Sequence, residues 1–153
     1  MKNIAEKNYW LLSSGKDGEL WPIFWNEKIV AIGWSGLGDL TKYSERAQID
    51  QAFKKLYPNS TSRQRGNNVG QIWSFYRNVK QGELVFVRSY GAIIGIGEIQ
   101  SDYEFVSPQN PLRTKLHSPF HDDDYPHIRK VRWLSLWGGL KQSLAFTRLT
   151  LME

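Results

Sequence analysis

The stretch Glu83-Leu84-Val85-Phe86-Val87-Arg88, Ser89-Tyr90-Gly91, Ala92-Ile93-Ile94-Gly95-Ile96-Gly97-Glu98-Ile99-Gln100 decides the fold. Two apolar, β-branched runs flank a short segment that ends in glycine, the pattern of a β-hairpin. Gly91 suits the turn. Gly95 and Gly97 share one face of the second strand, where a missing side chain lets another backbone or a ligand approach closely or marks a barrel bend.

Working outward, Asn8-Tyr9-Trp10-Leu11-Leu12-Ser13-Ser14 reads as a first strand that runs into a polar turn. Leu20 to Glu27 places Trp21, Phe24 and Trp25 at helical spacing. Ile29-Val30-Ala31-Ile32 is a continuous apolar run, as in a strand buried on both faces, and leads into Gly33-Trp34-Ser35. Ser44 reads as a helix N-cap, with Ile49, Phe53 and Leu56 on one stripe before Pro58. Asn59 to Asn68 reads as a polar connection, and a second helix carries Val69, Ile72, Trp73, Tyr76 and Val79. Asp102 to Val106 reads as a strand, residues 107–126 as a long loop, and His127 to Leu136 as a final strand. The order of elements predicts an α+β fold: a curled mixed β-sheet or small barrel with two or three packed helices. The domain is expected to span 1–140, with 141–153 as a tail of weak helical character, a linker to a missing domain.

The chain has 153 residues, 41% of them hydrophobic and 23% charged, the balance of a folded globular domain. It has no cysteine, which excludes disulfides, thiolate nucleophiles and Cys-type zinc sites. No run approaches the roughly 20 apolar residues of a membrane span, and residues 1–7 lack a signal-peptide core. The expected location is cytoplasmic, with no membrane partner. The net charge of +5 is uneven: residues 1–53 carry −1 and residues 54–153 carry +6. Such an excess fits a nucleic-acid footprint or an ordinary solvated surface.

Catalytic signatures are missing. There is no G-x-S-x-G elbow, no P-loop and no dinucleotide fingerprint. His117, His121 and His127 lie near Asp122-Asp123-Asp124, but Pro119 separates the first two histidines and the spacing fits no standard metal site. No metal, cofactor or catalytic residue is expected. Seven Trp, seven Tyr and seven Phe are the other resource of the chain. Trp73, Tyr76 and Trp133 read as core. Trp10 and Trp34 sit where strands meet loops and suit a core or an aromatic cage equally.

Several strings resemble a known family. Asn8-Tyr9-Trp10-Leu11 resembles the opening of EVE domains, which belong with the YTH domains to the PUA-like superfamily. Ile32-Gly33-Trp34-Ser35 resembles the strand that delivers a cage tryptophan in YTH-type readers, and Gly82-Glu83-Leu84-Val85 a strand in which Asp is usual where Glu83 stands. Gly91 through Ile99 resembles the central strand, with Tyr103 as its following aromatic. Gly38-Asp39-Leu40, Trp73-Ser74-Phe75-Tyr76 and Tyr125 through Leu134 resemble the N-terminal domains of McrB-type restriction proteins. The loop from Ser107 to Pro126 matches no motif of these domains.

This resemblance implies a reader, not an enzyme: a domain holding a methylated base, flipped out of double-stranded DNA, in an aromatic pocket. It implies as partners a AAA+ GTPase motor and a nuclease subunit of a modification-dependent restriction system. The chain has no Walker A string, so it reads as the reader half alone, either a stand-alone gene product or a fragment, and its abrupt tail favours a fragment. The implied pocket comprises Trp10, Ser13, Ser14, Trp34, Ser35, Asp39 and Tyr103, with Asp39 as an acceptor for an exocyclic amine. Arg63, Arg65, Arg77 and Arg88 are the implied phosphate contacts. An RNA-binding PUA-like module and a protein or small-molecule interaction domain are the alternatives.

Overall fold

The computed structural model describes residues 8–120 and 122–134, together with the backbone of 149–152. The chain is a curled mixed sheet with helices packed against it, as the order of elements predicts. The strands are β1 (Tyr9–Ser13), β2 (Ile29–Ile32), β3 (Leu84–Ser89), β4 (Ala92–Ile99), β5 (Glu104–Phe105), β6 (His117–Ser118), β7 (Asp123–Asp124), β8 (His127–Trp133) and β9 (Leu149–Met152). The helices are α1 (Trp21–Glu27), α2 (Arg46–Leu56), α3 (Ser62–Trp73) and α4 (Leu112–Lys115). The main sheet runs β2-β8-β4-β3-β1-β9, with β5 on β8, and β6 pairs β7 separately.

The hairpin forms as its sequence predicts. β3 and β4 pair antiparallel, and Tyr90 and Gly91 both take positive φ, the geometry of a two-residue turn matched to strand twist. A register shift between Val87 and Arg88 adds local twist. Gly95 admits Trp21 of α1: a Cβ there would lie 2.3 Å from the indole ring. At Gly97 a Cβ would sit 3.1 Å from the ring of Trp133. Aromatic side chains, rather than another backbone, fill the space these glycines leave.

β8 joins the two halves of the sheet. Its first residues pair with β2 and β5, and its last with β4. β2 is buried at all four positions, as its apolar run predicts. The core gathers Phe24, Ile49, Phe53, Ile72 and Phe75 from the helices against this sheet. Trp73 and Tyr76 pack at its edge, half-buried.

Four local differences have physical causes. α3 starts at Ser62, within the stretch read as a connection. Thr61 Oγ1 accepts from the Gln64 N–H and Gln64 Oε1 from the Thr61 N–H, so a capping box starts a helix amid polar residues. At α2 the N-cap is Glu45, not Ser44, because Gln48 Oε1 collects the N–H groups of both Ser44 and Glu45. The stretch 107–126 contains α4 and the β6–β7 hairpin. β8 is not the final strand: β9, in the stretch read as a tail, pairs parallel with β1. Residues 135–148, most of that expected tail, lie outside the described residues.

Trp10, placed among the pocket residues by the resemblance, is 3% exposed and belongs to the core. Its indole N–H donates to Glu83 Oε1 at 3.0 Å. The buried Glu83 carboxylate also accepts from the Lys80 N–H (2.7 Å) and the Asn8 N–H (2.8 Å). A buried carboxylate is stable only when so supplied with donors. Glu83→Leu is expected to cost about 2–4 kcal/mol in urea unfolding, because it leaves the Trp10 indole and the Lys80 amide unpaired. Glu83→Gln, which keeps an acceptor oxygen, should lose less; equal stability of Glu83→Leu and wild type would refute the role of this network.

Candidate nucleic-acid interface

A cavity of about 670 Å³ opens at the carboxyl ends of β1, β2 and β3. β1 and its turn supply Leu12, Ser13, Gly15 and Lys16; β2 and its continuation supply Ala31, Ile32, Gly33 and Trp34. Arg88 comes from β3, Asn68 from α3, and Asp123 and Tyr125 from the segment between β6 and β8. A volume of this order suits a small planar ligand.

Trp34 is the organising residue. Its φ of 58° is in the left-handed region, which a bulky side chain rarely occupies. Three hydrogen bonds hold it there. Its N–H donates to Asp123 Oδ2 at 3.2 Å, and its carbonyl accepts from the Leu37 N–H at 3.1 Å and from His127 Nε2 at 3.3 Å. The left-handed residue turns the chain sharply from β2 into the short helical turn Ser35–Leu37.

Asp123 is fixed in turn. Its Oδ1 accepts from Ser35 Oγ at 2.5 Å. Its strand pairs Ser118 with Asp123 and His117 with Asp124. Asp124 accepts from Arg113 Nε at 2.7 Å and lies 2.8 Å from His117 Nδ1. Burial alone would raise the Asp124 carboxyl, but the hydrogen bonds from His117 and Arg113 outweigh it and hold it below its ordinary value. Ser118 Oγ donates to Glu19 Oε1 at 2.7 Å and ties the hairpin to the turn after β1. At Glu19, too, burial opposes ionisation, and this hydroxyl with the Asp17 and Lys16 amides holds the carboxyl low. Gly33 leaves room for the arrangement: a Cβ would lie 3.1 Å from Asp123 Oδ2. Burial raises the Tyr125 phenol to about 12, helped by the charges of Glu19 and Asp123, so its hydroxyl stays neutral.

The residues of the implied pocket divide. Trp34 and Ser13 line the cavity, and Ser13 Oγ accepts from Arg88 Nε at 3.1 Å. Ser35 stands behind the wall and holds Asp123. Ser14 is fully buried, and its hydroxyl donates to the Arg88 carbonyl. Trp10 is core. Asp39 is not at this cavity; its carboxylate accepts from the Thr41 N–H and hydroxyl and caps a short turn. Tyr103 lines a different cavity, with Tyr76, Arg77 and Arg129. Of the four arginines, Arg88 reaches the cavity. Arg63 is exposed on α3, Arg65 pairs with Asp50 at 3.2 Å, and Arg77 lies over the rings of Trp73 and Tyr76. Asp123 lies in the loop that matches no motif, and Tyr125 opens a string that does match but carries no assigned role there, so the sequence reading names neither as a pocket residue. Their signal was the long polar stretch itself, since long loops often carry function.

Among the described residues, no three His, Asp or Glu side chains converge as metal ligands. His121, one of the histidines considered, lies outside them. No helix among them is long and apolar enough to cross a membrane.

His127 is fully buried, between Tyr103 and Trp34. Tyr103 Oη accepts from the Leu40 N–H, so its proton is directed to His127 Nδ1, 2.7 Å away. That leaves the proton of the neutral ring on Nε2, facing the Trp34 carbonyl. Burial lowers the His127 pKa from 6.5 to about 4, with Arg113 adding to it and the Trp34 carbonyl and Asp39 opposing. The unfolded chain therefore takes up a proton as pH falls through 6.5, while the folded chain resists until about 4. The contribution of the neutral ring is complete above 6.5 and is lost as pH falls from there to about 4. Wild type should lose about 3 kcal/mol more than His127→Gln between pH 7 and 4, measured by urea unfolding at each pH. Parallel pH profiles would refute it.

Residues 10–150 match a family model whose description is "Domain of unknown function (DUF8426)". No curated protein matches the chain. The match spans most of the sequence and takes in every residue lining the cavity, so the chain belongs to this family of domains of unknown function, DUF8426.

Proposed function

We propose that this protein is a non-catalytic reader that takes a modified base of double-stranded DNA, flipped from its strand, into the cavity beside Trp34. The observation that carries the reading is Trp34, its backbone constrained, on the wall of a cavity that Asp123, Lys16 and Arg88 also line. A rigid indole offers a stacking face at small entropic cost, worth about 1–3 kcal/mol per base. That gain and hydrogen bonds to the base edge offset the few kcal/mol of unstacking that flipping requires. Lys16 and Arg88 line the same cavity and suit flanking phosphates, which add affinity without sequence information.

The absence of catalysis is part of the proposal. His127 has both ring nitrogens engaged inside the fold. Following the EVE-like resemblance, the domain would supply specificity to a modification-dependent restriction system, with motor and nuclease in other domains or subunits.

The test is fluorescence anisotropy at fixed salt. Short duplexes carry unmodified bases, N6-methyladenine, 5-methylcytosine or 5-hydroxymethylcytosine, with RNA counterparts alongside. Tighter binding of one modified duplex is expected, and Trp34→Ala should weaken it about tenfold or more while leaving the circular dichroism spectrum unchanged. Lys16→Ala should weaken all duplexes alike and lower the salt slope by about 1. Equal binding of every duplex would overturn the reading, and preference for RNA would move it to the 2′-hydroxyl-reading class.

A further inference from the structure

The β6–β7 hairpin brings the Asp123 carboxylate into a cavity that Lys16 and Arg88 also line. We infer that Asp123 makes this cavity selective for bases that present an exocyclic amine, as cytosine and adenine do, over bases that present a carbonyl at that edge. The inference rests on the base-reader proposal and names the substrate class of the same site.

An ionised carboxylate is acceptor-only, with room for about four hydrogen bonds. Two places are filled from within the fold, Oδ2 by the Trp34 N–H and Oδ1 by Ser35 Oγ. Each oxygen retains acceptor capacity, and Asp123 lines the cavity. Those two hydrogen bonds hold its side chain, and the pairing of β6 with β7 holds its backbone. A base stacked on Trp34 meets the acceptor that also fixes Trp34. An amine edge donates to it, as cytosine N4 does to Asp and Glu in the major groove. A carbonyl edge would set two acceptors face to face, leaving both unpaired in a partly desolvated site.

The decisive experiment compares bases that differ at that edge, the two pyrimidine pairs sharing their 5-substituent. 5-Hydroxymethylcytosine is set against 5-hydroxymethyluracil, 5-methylcytosine against thymine, and N6-methyladenine against hypoxanthine, each in an otherwise identical duplex in the anisotropy assay. Within the pair containing the tightest ligand, the amine member is expected to bind at least tenfold tighter. Asp123→Asn, which replaces one acceptor by a donor, should shrink that ratio to threefold or less. Should Asp123→Asn fail to fold by circular dichroism, Ser35→Ala removes a hydroxyl that holds Oδ1 and should reduce the ratio severalfold. Equal or tighter binding of the carbonyl member overturns the inference and leaves the reader standing. A ratio unchanged in the folded variant overturns the role of Asp123. If no modified duplex exceeds the unmodified one, the reader proposal fails and this inference with it.

Discussion

The backbone of Trp34 is the constraint on which the site depends. β2 is only four residues long, is buried on both faces, and must leave the sheet at once. A left-handed residue makes that turn, at a cost of about 1–2 kcal/mol for a residue with a Cβ. The cost is offset from three directions: Asp123 on the N–H, Leu37 and His127 on the carbonyl. None of the three substitutes for another, since each satisfies a different lone pair or proton. The position of the indole is thus set by the hairpin, by the following turn and by β8 together.

A chain of hydrogen bonds runs from this residue to the second cavity. Trp34 accepts from His127, which meets Tyr103, which lines the second cavity beside Arg129. Arg129 is 2% exposed and, among the described residues, hydrogen-bonds to no acidic side chain. Its guanidinium donates to the carbonyls of Phe75, Tyr76 and Ser101. Phe75 and Tyr76 belong to the wide helical turn Ser74–Asn78 that ends α3, where carbonyls lack partners within the helix. Burial lowers the affinity of Arg129 for its proton, but an arginine keeps its charge. A buried cation here does the work of a helix cap and fixes α3 to β8.

Local chemistry made much of the fold legible. The run Ile29-Val30-Ala31-Ile32 and the Tyr90-Gly91 turn follow from neighbouring residues, so pattern alone locates them. The start of α3 was obscured because its capping box, Thr61 with Gln64, lies in a stretch without apolar periodicity. Trp10 could not be separated from a cage residue, since its assignment turns on Glu83, 73 positions away. Asp39 was an equally reasonable acceptor by composition, and only the Thr41 contacts show it engaged elsewhere. The acceptor at the cavity, Asp123, meets Trp34 and Ser35 across 89 and 88 positions. No local pattern encodes a pairing of that range. It becomes visible only once β8 has aligned with β2 and carried the hairpin to the end of β2.

Charge placement bears on how such a cavity would divide its labour. The basic excess of the chain lies after residue 53, yet the wall beside Trp34 is acidic. Were the cavity simply a nucleic-acid groove, a carboxylate there would repel the backbone it should attract. In the proposed reader the two signs serve different parts of one nucleotide. Lys16 and Arg88, on the cavity lining, favour phosphates, an interaction that salt weakens. Asp123 disfavours phosphate within the cavity, so that what enters is the neutral base, and then only with a donor edge presented. Affinity would come from the two cations and discrimination from the carboxylate, which separates the salt dependence of binding from its selectivity.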